Sequence, residues 1–110
     1  MDEEKKTVKD IQEFQDEHDK KFHEKIFNLE KNERLRHMAQ HLTKISGKFA
    51  EYFDKSDHGE SESEKILEEI KEKRLPDLFA FSLIISNIFK IDLEEAYFKR
   101  IKEFEKEKIE

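Results

Sequence analysis

The chain has 110 residues, enough for one domain with one modest hydrophobic core. Its 22 Lys and Arg residues are interspersed with 28 Asp and Glu residues, and the net charge of −6 argues against the basic face that a nucleic-acid partner requires. The absence of Cys excludes disulfides and thiolate metal sites, and the low Gly and Pro content, with abundant Glu, Lys, Leu, Ile and Phe, favours an all-α fold.

The N-terminal half of the sequence predicts two amphipathic helices. Thr7 is placed to cap the first, whose apolar residues recur at steps of three and four over about residues 8–22. Asn28 is placed to cap the second, whose apolar stripe runs to about Phe53. Gly47 lies inside this second helix, where Gly costs about 1 kcal/mol relative to Ala, so we expect close helix packing or an inherited motif position there.

A polar segment over residues 54–63 is predicted to be a loop. It leads into Ser61 and Glu64, which have the spacing of a capping box that would begin the third helix. Within that helix, Pro76 removes a backbone donor and crowds the preceding turn. We therefore predict a kink or a break between about residues 72 and 76.

The longest apolar segment of the sequence runs from Leu75 to Phe89. Its apolar residues cover most of a helical circumference, so other helices must surround it and we expect it to be central in a four-helix fold. It is shorter and more interrupted than the about 20 apolar residues that span a bilayer, so no membrane partner is expected. Asp92 and Glu95 have capping-box spacing and predict the start of the fourth helix.

The composition also indicates location and assembly. The acidic start argues against a secretory or mitochondrial leader, so we expect a cytoplasmic protein, and the high Glu and Lys content fits a thermophile.

One short chain is not expected to cover the apolar helix on all sides, and exposure of Phe79, Phe81, Ile85 or Ile88 would create an aggregation-prone patch. We therefore predict a two-fold homodimer with the third helices near its centre.

Two features with the spacing of functional sites also have simpler explanations. His37 and His41 have the i, i+4 spacing of two zinc ligands on a helix, but the accompanying Glu is absent and no third ligand is evident, which favours a role without metal. Asp77 lies in the first turn of a helix that begins at Pro76, where a carboxylate stabilises the helix dipole without any chemistry.

Three segments carry a family resemblance: LTKISGKFAEYF (42–53), RLPDLFAFSLIISNIF (74–89) and KIDLEEAYFKRI (90–101). They are similar to the helical signatures of the MazG-like, all-α nucleoside triphosphate pyrophosphohydrolases, and residues 7–19 are similar to the opening of that family. The resemblance covers nearly the whole chain and is most specific in the Ile-Asp-Leu-Glu-Glu-Ala passage. It implies a single domain over residues 1–110 with a MazG-like four-helix core, which dimerises and sometimes forms tetramers.

The family holds Mg²⁺ with Glu-Glu-x-x-Glu on the second helix and Glu-x-x-Asp on the third, and the metal bridges the triphosphate and activates water. In this sequence only one matching position is acidic and three are cationic, and a divalent ion beside these cations is repelled by several kcal/mol at an effective dielectric of about 20. We therefore expect no cofactor and no metal-dependent hydrolysis. The matching positions are Lys44, Ile45, Lys48, Arg74 and Asp77.

A second departure concerns the fourth helix. The family tends to place phosphate-binding Lys and Arg near its end, and alignment on Phe104 puts Glu103 and Glu107 there. The charges of the site are then exchanged. A partly desolvated Asp77 is expected to pair with one of the cations at the matched positions, because an unpaired buried charge is costly.

Three functions are compatible with this pattern. The favoured one is a non-catalytic homologue with a structural, binding or regulatory role, whose former site is closed by salt bridges. The second is an active enzyme that hydrolyses nucleoside triphosphates, or their deoxy forms, to monophosphates and pyrophosphate. In that case Mg²⁺ would be held by Asp77 and by ligands such as Glu51, Asp54, Asp57 or His41. The third is a metal-free binder of nucleotide phosphate that uses Lys44, Lys48 and Arg74.

Overall fold

The computed structural model describes the backbone of residues 6–109 and the side chains of residues 6–107. All regular secondary structure in that range is helical and it contains no strand, which confirms the all-α prediction. None of the described helices is long and apolar enough to cross a membrane. The elements are α1 (Val8–Phe22), α2 (Glu24–Phe27), α3 (Lys31–Asp57), α4 (Glu62–Glu69), a π turn (Ile70–Arg74), α5 (Leu75–Phe89) and α6 (Leu93–Ile109).

The helices divide into two compact units. In the unit of residues 30–82, α3 packs against α4 and the π turn, and the buried apolar side chains are Met38, Ile45, Ile66 and Ile70. The other unit comprises residues 6–29 and 83–109 in its described part, and there α1 packs against α2 and α6. Its buried apolar side chains are Leu83 and Ile88.

The first and last helices begin at the predicted caps. Thr7 Oγ1 accepts a hydrogen bond from the N–H of Asp10 at 3.1 Å, and Asp10 Oδ2 accepts one from the N–H of Thr7 at 3.2 Å. Asp92 Oδ1 accepts from the N–H of Glu95 at 3.1 Å. These bonds satisfy backbone donors that a helix leaves without a partner at its start, so both predicted N-caps are confirmed.

A buried amide fastens α1 to the connection between α5 and α6. Gln12 is 7% exposed, its Nε2 donates to the carbonyl of Ile91 at 2.7 Å and its Oε1 accepts from the N–H of Leu93 at 3.1 Å. Its own carbonyl accepts from Asn87 Nδ2 at 3.0 Å. Since an unpaired polar group costs free energy on burial, this set of bonds explains how Gln12 is accommodated there.

Predictions for the middle of the chain are wrong at three points. Asn28 ends the short helix α2 and does not cap α3, whose N-cap is Glu30. The helix α3 continues to Asp57, four residues past the predicted end, because polar side chains alone do not stop a helix. Ser61 makes no side-chain capping bond because its backbone is helical, with φ −63° and ψ −21°, and not extended as an N-cap requires.

The helix that contains Pro76 changes its winding and does not break. Its backbone is helical from α4 through the π turn into α5, and the N–H of Leu75 bonds to the carbonyl of Ile70, five residues earlier. Pro76 has no N–H to offer Glu72, and in an α-helix its ring would clash with the Glu72 carbonyl. The wider π winding accommodates both effects, so the disturbance predicted near Pro76 takes this form.

Two helices end in the same left-handed turn. At the end of α3, Gly59 has a φ of +69° and its N–H bonds to the carbonyl of Ser56 at 3.0 Å. At the end of α5, Lys90 has a φ of +58° and its N–H bonds to the carbonyl of Asn87 at 3.1 Å. Glycine adopts this conformation without steric cost, whereas a residue with a Cβ crowds the neighbouring carbonyl. The turn at Lys90 is therefore strained where the turn at Gly59 is not.

We predict that Lys90→Gly raises the free energy of unfolding by about 1 kcal/mol, because it removes the Cβ contact that disfavours the left-handed region. Urea unfolding of the two proteins measures the change. The control is Lys99→Gly inside α6, which should lower the free energy of unfolding by about 1 kcal/mol because Gly is a poor helix former. A Lys90→Gly variant less stable than the unmutated protein would contradict this account.

Candidate functional site

Three of the five matched positions and two of the alternative ligands line one groove in the unit of residues 30–82. This groove has a volume of about 560 Å³. Ile45, in contrast, is only 4% exposed and belongs to the core, so this matched position contributes no group to the groove. The lining residues are His41, Lys44, Gly47, Lys48, Glu51 and Arg74.

The side chains beside the groove form a chain of alternating charges, Glu51, Lys48, Glu69, Arg74 and Asp77, which we call the ion-pair chain. Arg74 Nη2 donates to Glu69 Oε1 at 2.8 Å, and Arg74 Nη1 donates to Asp77 Oδ2 at 3.1 Å. Lys48 Nζ lies 3.4 Å from Glu69 Oε2 and 3.6 Å from Glu51 Oε2. The chain therefore links α3 to the helix that contains the π turn.

The π turn explains why Arg74 reaches Glu69. Residues five apart in an α-helix point roughly 140° away from each other around the axis. The π turn winds more widely and bonds residues five apart, which brings Glu69 and Arg74 to the same side. Sequence reasoning missed Glu69 for this reason, since i, i+5 is not a helical pairing distance. The sequence signal that could have indicated the pairing of Glu69 with Arg74 is Pro76, because it disturbs the preceding helical turn.

Arg74 holds Glu69 in its charged form. The hydrogen bond from Arg74 lowers the pKa of Glu69 below its ordinary value, and Lys48 contributes in the same direction. Reciprocally, the hydrogen bond to Glu69 raises the pKa of Arg74, and Asp77 adds to that effect. Asp77 is 42% exposed at its side chain, so water screens its pair with Arg74 more than our sequence-based expectation of a desolvated carboxylate implies.

The carboxylates beside the groove are paired with cations. Each of the three carboxylates of the ion-pair chain lies within 4 Å of a Lys or Arg nitrogen. Mg²⁺ sites, in contrast, use carboxylates that are available as ligands. Lys44 adds a third cation to the groove wall. Among the residues that the structure describes, no group of three or more His, Asp or Glu side chains is arranged to hold a metal ion.

The other residues that the sequence analysis singled out lie outside the ion-pair chain. A Cβ built on Gly47 would meet nothing within 4 Å, so the first of the two explanations expected for Gly47, close helix packing, is wrong, and an inherited motif position stays a prediction. Asp54 and Asp57 lie in the last turn of α3 and do not line the groove. Glu103 lies on α6, in the other unit, where it accepts a hydrogen bond from Arg100 at 2.6 Å.

The two histidines of α3 are in contact. The Nε2 atoms of His37 and His41 are 2.9 Å apart, and the ring of His41 stacks on Phe81 with a centroid distance of 4.9 Å. Burial lowers the pKa of His41, and the charges of His37 and Lys44 lower it further. Burial therefore favours the neutral form of the His41 imidazole.

We predict that Arg74→Gln raises the pKa of Glu69, because it removes the strongest bond to the carboxylate. A lowered pKa stabilises the fold above the unfolded value of about 4.3, and this stabilisation is lost as the pH falls through the folded value. The variant should therefore show a shallower loss of stability in acid. An NMR titration of the Glu69 carboxyl group and urea unfolding against pH measure the two effects.

The control for this prediction is Lys71→Gln, which removes a cation that pairs with Glu68 on the surface. It should leave the pKa of Glu69 unchanged. An unchanged Glu69 pKa in Arg74→Gln would contradict the assignment of Arg74 as its main partner.

Comparisons with known proteins assign no family to this chain. No protein-family model, no curated protein and no solved structure matches it. A functional assignment therefore depends on the groove, its ion-pair chain and the residues at the matched positions.

Proposed function

We propose that this chain is a non-catalytic homologue of the MazG-like nucleoside triphosphate pyrophosphohydrolases, with a structural, binding or regulatory role. The observation that carries the proposal is the guanidinium of Arg74, which bonds to Glu69 and to Asp77. Arg74 stands at a position where the resemblance puts a metal-binding Glu. A guanidinium there supplies positive charge between carboxylates, so those carboxylates are neutralised without a metal ion.

The state of Asp77 supports the loss of metal-dependent hydrolysis. Hydrolysis with Mg²⁺ requires a metal that bridges the phosphates and activates a water molecule. Asp77 is the only acidic residue among the five matched positions, and its Oδ2 accepts the bond from Arg74 at 3.1 Å. To ligate a metal, Asp77 would have to share its carboxylate with Arg74 and hold the dication beside Lys44, Lys48 and Arg74, which repel it.

Metal-free binding of a nucleotide phosphate is the second candidate function, and two observations favour it. Lys44 forms no ion pair with a described residue, and Arg74 Nε is buried without a hydrogen-bond partner among the described residues. Against it, Lys48 and Arg74 are already paired with the carboxylates of Glu51, Glu69 and Asp77. A triphosphate would have to compete with these carboxylates for Lys48 and Arg74, so we rank this function second.

We also propose that the chain assembles as a homodimer, or as a tetramer built from dimers. The support comes from large apolar side chains exposed on α5, since Leu75 and Phe79 are each 47% exposed and Phe89 is 50% exposed. Complete burial of one such side chain stabilises an assembly by about 1.5–3 kcal/mol. Ile88 is already buried within the chain and needs no second copy to cover it.

We predict that the purified protein releases no pyrophosphate from nucleoside triphosphates or their deoxy forms in Mg²⁺, because the carboxylates of the groove are paired with cations. The control is the double variant Lys44→Ala/Asp77→Ala, assayed at the same enzyme concentration. Turnover well above this control would contradict the proposal.

A thermal-shift panel of nucleotides, with and without Mg²⁺, separates the three functions. A non-catalytic protein without a nucleotide site gives no shift. A rise in Tm with nucleotide alone indicates the metal-free binder, because a ligand that binds only the folded state stabilises it. A rise that requires both nucleotide and Mg²⁺ indicates the enzyme.

We predict a dimer mass in light scattering at micromolar concentration, and a shift toward the monomer in Phe79→Asp, because a buried charge at the interface is costly. The matched control is Phe53→Asp on α3, an exposed Phe outside the apolar helix, which should leave the mass unchanged. A monomer mass for the unmutated protein would refute the assembly.

A further inference from the structure

The two histidines of α3 have the spacing of a chelate. His37 and His41 lie one turn apart, their Nε2 atoms are 2.9 Å apart and their rings are nearly perpendicular at 83°. Two imidazole nitrogens that bind one metal ion at about 2.0–2.1 Å lie roughly 2.9 Å apart when the ligand angle is 90°. At a tetrahedral angle the same bonds place them roughly 3.3 Å apart. The observed distance matches a right angle and is also that of an N–H···N hydrogen bond, which the two rings form in the absence of metal.

We propose that His37 and His41 form a bidentate site for Cu²⁺ or Ni²⁺ at the groove, with each imidazole binding through Nε2. Square-planar and tetragonal geometries with right-angled nitrogen ligands are those that these ions adopt, and imidazole is a preferred ligand of both. Mg²⁺ prefers oxygen ligands and has no place in this site. The site is independent of the proposed function, because it uses none of the five matched positions.

The surroundings hold the His41 ring in place before a metal ion arrives. Its stacking on Phe81 has an interplanar angle of 27°, and both histidines are half-buried. A ligand with a restricted side chain loses less conformational entropy on binding.

Protons and charges around the pair are compatible with binding. A neutral imidazole carries one N–H. The ring whose Nε2 donates in this contact moves that proton to its own Nδ1, so that Nε2 can bind the metal ion. Metal binding therefore releases no proton overall. Lys44, on the same helix, disfavours an added cation, and Asp77, on α5, favours it. No third His, Asp or Glu of the described residues completes the site, so water fills the remaining positions.

Calorimetric titration of the whole chain with NiCl₂ near pH 7.5 tests the site. We expect one Ni²⁺ per chain and more than about tenfold weaker binding in His37→Ala and in His41→Ala, since each variant keeps only one of the two nitrogens. The control His58→Ala changes a histidine at the end of α3, where it contacts Asp54, and should bind like the unmutated protein. Circular dichroism establishes that each variant is folded.

Copper supplies a second measurement that does not depend on a variant. Substoichiometric Cu²⁺ should broaden the NMR signals of the His37 and His41 rings before those of His18, His23 and His58. Equal Ni²⁺ affinity of His37→Ala and the unmutated protein would overturn the proposal, and so would broadening that begins at another histidine. In that case the 2.9 Å contact is a hydrogen bond and nothing more.

Discussion

The backbone donor that Pro76 lacks determines the arrangement of the candidate site. In an α-helix the ring of Pro76 would clash with the carbonyl four residues earlier, and the π turn of Ile70–Arg74 relieves this clash. The same turn brings Arg74 to the side of Glu69, where an α-helix would separate the two side chains. A local constraint on one peptide group thus places the guanidinium 2.8 Å from the Glu69 carboxylate.

With Arg74 in this position, attraction between opposite charges accounts for the other ion pairs beside the groove. Arg74 bonds to Glu69 and Asp77, and Glu69 in turn lies 3.4 Å from Lys48 on α3. The carboxylates of the ion-pair chain and the cations of the groove balance, so neither Mg²⁺ nor a triphosphate meets a surplus of the opposite charge. This balance explains why we prefer a non-catalytic role, in which Arg74 takes the place that a metal ion has in the family this chain resembles.

The helical fold could be predicted from local signals, and the parts that depend on tertiary contacts could not. The caps of Thr7 and Asp92 have local sequence signatures, and each forms as predicted. Lys48 and Arg74 were assigned to one site, and both line the groove. The role of Gln12 depends on residues about eighty positions away, and no local pattern distinguishes it from a solvated amide.

A triple-mutant comparison tests most directly whether the π turn creates the Glu69–Arg74 pair. Double-mutant cycles of Glu69→Gln and Arg74→Gln, measured by urea unfolding, give the coupling free energy of the pair in the unmutated protein and in the Pro76→Ala background. We predict a favourable coupling with Pro76 present and its loss in Pro76→Ala, because α-helical winding then separates the two side chains. An equal coupling in both backgrounds would contradict the account.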